Sequence, residues 1–177
     1  MLPKLTLVLG GAASGKTAFA EGLVLDSGRA PVYLATAQAW DDEMRGKIAR
    51  HRMSRGEGWL THEEPLDMAS ALAAALPDQA VLLDCATLWL TNQILAERDV
   101  AAEQTALLAA LDGCAAPVVV VSNEIGMSVV PENALARRFR QAQGELNQRI
   151  AAQASLVVTV MAGLPLVLKG ALPGSPP

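Results

Sequence analysis

Aromatic side chains are scarce in this chain: three Trp, one Tyr and two Phe make up 3% of a sequence that is 51% hydrophobic. Its interior must therefore be assembled from Ala, Leu and Val, the composition of helices layered on a buried sheet. Cysteine is scarcer still. Cys85 and Cys114 are the only two; neither sits in a metal-ligand spacing, and isolated thiols of this kind read as reduced core residues of a cytoplasmic protein. Excess basic charge is also missing. Fourteen Lys and Arg against 18 Asp and Glu give a net charge of -4, so there is no electrostatic footprint for nucleic acid or for an anionic membrane. No apolar run approaches the roughly 20 residues of a membrane helix. Met1-Leu2-Pro3-Lys4 runs into a strand without a basic leader, so no targeting or anchoring segment is expected. These absences leave a small ligand as the expected partner.

A chain of 177 residues fits one domain, which buries roughly 70% of its unfolded surface. Residues 1–170 are expected to form it. Residues 171–177 form a tail, ending Leu172-Pro173-Gly174-Ser175-Pro176-Pro177, whose composition predicts fraying.

Apolar runs of strand length recur at Leu5–Leu9, Val32–Ala35, Ala80–Leu83, Val118–Val121 and Leu156–Met161. Their unbroken apolarity implies a parallel sheet covered on both faces. Helical spacing is expected over Asp41–Met53, Pro65–Leu76, Ala101–Leu111 and Pro131–Ala154, the last opening on Pro131-Glu132 in the manner of a first turn. The fold class is thus α/β, a three-layer arrangement of a mostly parallel sheet flanked by helices.

Between the first strand and a helix-compatible segment stands Gly10-Gly11-Ala12-Ala13-Ser14-Gly15-Lys16-Thr17. Small residues in this spacing let backbone N–H groups curl around phosphate oxygens, and the helix that follows adds its positive end. It reads as the phosphate-binding loop of a P-loop NTPase, with Lys16 reaching the β- and γ-phosphates and Thr17 ligating Mg²⁺. Val81-Leu82-Leu83-Asp84 supplies an apolar strand ending in a carboxylate. Asp84 is either the second Mg²⁺ contact or the cap of a helix starting at Ala86.

Asp41 to Arg55 carries acidic residues first and basic ones last, an order that suits a helix dipole, with His51 between Arg50 and Arg52. His51 is either a polar side chain at a helix C-terminus or a nucleophile: an imidazole can attack phosphorus, and neighbouring arginines favour its neutral form. His62, in a short alternating stretch, reads as a surface residue. Asn123, Glu124 and Asn133 lie where α/β proteins place ligand contacts, or are turn and cap residues. Arg137, Arg138 and Arg140 form either a solvated helix face or a phosphate contact across a subunit boundary.

Taken with Tyr33-Leu34-Ala35-Thr36-Ala37, Asp42-Glu43-Met44, Ile48–Arg52, Trp59–Pro65, Leu83–Asn92, Val121–Met127, Val130–Asn133, Arg137–Arg140 and Gly144–Gln148, the chain closely resembles the bifunctional adenosylcobinamide kinase and adenosylcobinamide-phosphate guanylyltransferase family. The resemblance runs nearly end to end. It implies phosphorylation of the aminopropanol hydroxyl of adenosylcobinamide from ATP or GTP, then transfer of GMP from GTP to that phosphate, giving adenosylcobinamide-GDP. It aligns His51 with the family's guanylylated histidine, which makes His51 and Lys16 the expected catalytic residues. It implies nucleotide contacts along Gly10, Gly11, Ala12, Ala13, Ser14, Gly15, Lys16 and Thr17. Further contacts are implied at Thr36, Ala37 and Gln38, at Arg52, Met53, Ser54 and Arg55, and at Glu63 and Asp84. The metal contacts would be Thr17 and Asp84, and the assembly a homotrimer. Ala13 departs from the pattern, since many members carry Arg there; the backbone cradle does not depend on it. Two other readings differ in mechanism: a simple P-loop kinase with a structural His51, and a nucleotide-dependent switch or ATPase without a small-molecule acceptor.

Overall fold

The computed structural model describes residues 1–38 and 58–174. Among these, seven strands form one sheet: β1 (Leu5–Gly10), β2 (Ala30–Ala35), β3 (Leu60–Glu63), β4 (Gln79–Asp84), β5 (Val118–Asn123), β6 (Leu156–Met161) and β7 (Leu164–Lys169). The helices among the described residues are α1 (Lys16–Leu25), α2 (Met68–Ala73), α3 (Ala86–Leu95), α4 (Val100–Gly113) and α5 (Ala134–Gln153). The strand order is β3-β2-β4-β5-β1-β6-β7. All neighbours pair in parallel except β6 with β7. The expected helix Asp41–Met53 lies outside the described residues.

Alternation along the strands divides the interior into two apolar layers. Leu7, Leu34, Leu83 and Val120 pack with Met68, Trp89, Leu107, Leu146 and Ile150, beneath α2 to α5. Val8, Leu82, Val119, Val121 and Val158 pack with Ala20 and Val24, beneath α1. Helices therefore cover both faces, as the apolar runs required.

The strand cores sit where the sequence placed them, and β1, β4 and β5 run on to Gly10, Asp84 and Asn123. Two boundaries are corrected. The helix expected from Pro131 starts at Ala134, because the Asn133 side chain accepts from the N–H groups of Leu135 (2.8 Å) and Ala136 (3.2 Å) and so fixes the first turn there. The helix expected over Pro65–Leu76 shortens to Met68–Ala73, capped by Asp67. β7 was not anticipated. At the tail, Leu172 packs half-buried against the α1-side layer.

The connection β1–α1–β2 leaves across one face, while β5–α5–β6 steps over β1 on the other. Where connections part in this way, the carboxyl ends of neighbouring strands open a crevice. Here it lies beside β1, β5 and β4.

Candidate active site

Gly10 closes β1 because nothing larger fits: a Cβ there would meet the Ser14 hydroxyl and lie 2.7 Å from the Val160 carbonyl. The loop then turns through Ala13 (φ 55°) and Gly15 (φ 92°) into α1. Gly15 is an N-cap without a side-chain bond, whereas Asp67, Asp99 and Asn133 cap α2, α4 and α5 with theirs. A helix start that lacks a side-chain cap is the kind of terminus at which phosphate groups bind. Lys16 Nζ donates to the Gly11 carbonyl at 3.0 Å across the loop. The loop is braced from the far side of the sheet edge, since the Gly163 N–H in the β6–β7 turn donates to Ser14 O at 2.8 Å.

Asp84 ends β4, one strand beyond β5, and its Oδ2 accepts a 2.6 Å hydrogen bond from the Tyr33 hydroxyl. Tyr33 is itself fixed by an edge-on contact with Trp59, ring centroids 6.0 Å apart. The N-cap of α3 is Cys85, so the sequence alternative of an Asp84 cap is not what the carboxylate does. The Asp84–Cys85 peptide is cis. Burial, reinforced by the Asp84 carboxylate, pushes the Cys85 thiol up to about 11, so it is a neutral packing group and no nucleophile at neutral pH. Both cysteines are free and buried.

Thr36, Ala37 and Gln38 follow β2 at the same edge. Thr36 is fully buried. Its hydroxyl donates to Cys85 O (2.9 Å) and accepts from Cys85 N (2.8 Å), while its carbonyl accepts from Asn92 Nδ2 at 2.8 Å. Thr36 is therefore locked to the strand end that carries Asp84, and the half-buried Ala37 and Gln38 are the parts of this segment turned toward space. Glu63 ends β3 and is exposed. The structure thus gathers Gly10 through Thr17, Asp84 and the Thr36–Gln38 segment at one edge, with Glu63 on its outer strand. His51, Arg52, Met53, Ser54 and Arg55 lie outside the described residues. His62 is exposed, as expected.

Polar side chains to which the sequence assigned no individual role, Ser122, Gln143, Asn147, Thr87 and Asn92 among them, hold this edge together. Ser122 donates to Asn147 Oδ1 (2.7 Å) and accepts from Gln143 (2.9 Å), and Asn123 N–H donates to Thr87 at 2.9 Å. Asn92 also reaches Pro65 O (3.0 Å), while Trp89 and Gln93 both donate to Leu66 O. The available signal was a set of amides on the inward faces of helices, with Gln143 and Asn147 four apart. Arg140 donates to the carbonyls of Gly126, Ser128 and Val129, and Arg137 to that of Pro131. Both brace the loop after β5.

Residues 6–168 match the family model described as cobinamide kinase / cobinamide phosphate guanyltransferase. The chain belongs to that family. Among similar proteins is the bifunctional adenosylcobalamin biosynthesis protein CobP of Pseudomonas aeruginosa, 46% identical, the match covering 93% of this chain and 96% of the relative. The bifunctional adenosylcobalamin biosynthesis protein CobU of Salmonella typhimurium is 41% identical, covering 92% and 98%. In fold the chain is similar to the flagellar accessory protein FlaH of Methanocaldococcus jannaschii (TM-score 0.54, 13% identity, 98% of this chain and 83% of that one). It is similar also to an ATPase from the type III secretion system of pathogenic bacteria (TM-score 0.56, 8% identity, 94% and 57%). The chain thus shares its three-layer α/β fold with proteins of otherwise distant sequence. Among the described residues no helix is long and apolar enough to cross a membrane.

Proposed function

We propose that this chain carries out both reactions of its family on one scaffold. It phosphorylates adenosylcobinamide from ATP or GTP and then transfers GMP from GTP to the adenosylcobinamide phosphate. The observation that carries the kinase half is the phosphate loop at the carboxyl edge, with α1 uncapped behind it and the Asp84 carboxylate two strands away. In phosphoryl transfer the protein's work is positioning and charge stabilisation. The loop amides and Lys16 supply both for the β- and γ-phosphates. The donor set of the Thr17 hydroxyl and the Asp84 carboxylate is all oxygen, which suits Mg²⁺; Tyr33 occupies one Asp84 oxygen and, among the described residues, leaves the other. When bound, the cation supplies neutralisation of charge on the phosphate oxygens.

The guanylyl half runs through His51. Its imidazole nitrogen attacks the α-phosphorus of GTP, the α–β anhydride bond breaks, and pyrophosphate leaves. A phosphate oxygen of adenosylcobinamide phosphate then attacks the same phosphorus and the phosphoramidate bond to His51 breaks. In this reading Gly10 through Thr17, Ala37, Gln38, Arg52, Met53, Ser54, Arg55, Glu63 and Asp84 contact nucleotide, and Thr36 acts by anchoring its neighbours to Cys85. Residues 1–170 constitute the domain, with 171–177 a tail, in a cytoplasmic homotrimer. Apolar side chains left in solvent at Met127, Val129, Leu164, Leu166 and Leu168 support subunit contacts.

The test is product analysis by mass after incubation of the protein with adenosylcobinamide and Mg²⁺. With ATP alone the product gains one phosphate; with GTP it becomes adenosylcobinamide-GDP. A product that stops at the phosphate with GTP leaves a simple kinase. Nucleotide hydrolysis without an acceptor product leaves a switch or ATPase.

A further inference from the structure

Strand alternation settles which way Asn123, the last residue of β5, turns its side chain. Val119 and Val121 lie in the layer beneath α1, and Val118 and Val120 in the opposite one. Ser122 follows the second set, reaching Gln143 and Asn147 on α5. Asn123 follows the first and faces the α1 side, the side over which the phosphate loop folds. Asp84 faces the same way, in step with Ala80 and Leu82.

The register brings these groups together. Asn123 is the Cα partner of Gly10 on β1, and its strand pairs on the other side with β4, where Val121 stands opposite Asp84. Three adjacent strands therefore present the start of the phosphate loop, Asn123 and Asp84 at one edge and on one face, with the carboxamide in the middle.

The Asn123 backbone is held on every side. Its N–H donates to Thr87 Oγ1 at 2.9 Å, its carbonyl accepts from Asn147 Nδ2 at 3.1 Å, and the next N–H, of Glu124, donates to Gly10 O at 3.2 Å. The strand end is thus tied to α3, α5 and the phosphate loop at once. Its carboxamide is half-buried, and among the described residues nothing hydrogen-bonds to it. A rigidly placed amide donor between the two phosphate-handling groups, unused among the described residues, is a preorganised contact for charge that develops in the reaction.

We propose that Asn123 is a catalytic residue of phosphoryl transfer, its Nδ2 donating to an oxygen of the γ-phosphoryl group. This rests on the kinase reading above. As the acceptor hydroxyl oxygen bonds to the γ-phosphorus, the bond to the β–γ bridging oxygen breaks. The nucleoside diphosphate leaves with that electron pair, and the hydroxyl proton passes to solvent. Asn123 holds the transferred group's oxygens throughout and so favours triphosphate over diphosphate.

The experiment compares wild type with Asn123→Ala and Asn123→Asp, the second keeping the size of the side chain while placing a carboxylate against the phosphate. Three quantities are read on the full chain: kcat and KM for adenosylcobinamide phosphorylation, equilibrium affinities for GTP and GDP, and Tm. Both variants are expected to lose about 10²-fold in kcat, with GDP affinity and Tm held and the preference for GTP over GDP reduced. Unchanged kcat and unchanged GTP preference overturn the proposal. So does an equal fall in GTP and GDP affinity accompanied by a lower Tm, which marks a purely structural side chain. If wild type fails to phosphorylate adenosylcobinamide, the kinase reading fails, while the GTP-over-GDP preference still decides whether Asn123 meets the γ-phosphate.

Discussion

The hydroxyl of Tyr33 donates to Oδ2 of Asp84 at 2.6 Å, joining β2 to the end of β4. Tyr33 is almost fully buried, so the bond fixes the carboxylate's direction from inside the core and leaves one oxygen for a cation. Tyr33→Phe keeps the ring and its contact with Trp59 and removes that donor. The expected cost is about 1 to 2 kcal/mol of stability, seen as a Tm lower by about 3 °C per kcal/mol for a chain of this size. A several-fold rise in the Mg²⁺ concentration needed for half-maximal phosphorylation should accompany it. A Mg²⁺ titration that overlays wild type would show that Tyr33 does not orient Asp84 for the cation.

Two glycines of the first loop and helix should respond in opposite directions to Ala. Gly15 sits at φ 92°, and a Cβ there would lie 3.2 Å from Gly163 Cα; Gly15→Ala carries the left-handed strain and pushes the bracing turn away. Lower Tm and weakened GTP binding are expected. Gly22 lies inside α1, and a Cβ there meets nothing within 4 Å. Gly22→Ala should therefore stabilise by about 0.5 to 1 kcal/mol through helix propensity. Thermal melts of the two variants side by side check both signs.

Cys85 should leave a signature in alkaline stability. Its thiol is raised from 9.0 to about 11, by burial first, so the native state holds the proton more tightly than the unfolded chain. The stability this contributes is fully present below 9.0 and is lost as pH rises toward about 11. Denaturant unfolding across that window should show a falling stability whose slope is smaller in Cys85→Ala. Identical slopes would mean that the thiol does not titrate as the burial requires.

Much of this architecture was legible in the sequence because buried parallel strands are apolar on both faces. Val118–Val121 and Leu156–Met161 could hardly be anything else. The readings stopped short at the ends of β1 and β5, where the chain changes to Gly10 and Asn123 while still pairing, and missed β7, whose leucines are exposed and interrupted by Pro165. The phosphate loop was legible because its chemistry is local. The anchoring of Thr36 was not: its partners on Cys85 and Asn92 lie 49 and 56 residues away, and nothing in the spacing brings them together. Asn147 and Gln143 read as ordinary helix residues until Ser122 is placed between them.

The most direct test of the bifunctional reading uses pure protein, Mg²⁺ and GTP labelled at the α-phosphate, followed by denaturation and measurement of label on the chain, with His51→Ala in parallel. Acid-labile label on wild type that is missing from His51→Ala is the expected result, and it marks a phosphoramidate on that histidine. Absence of label on wild-type protein shown to bind GTP, or equal label on His51→Ala, would contradict it.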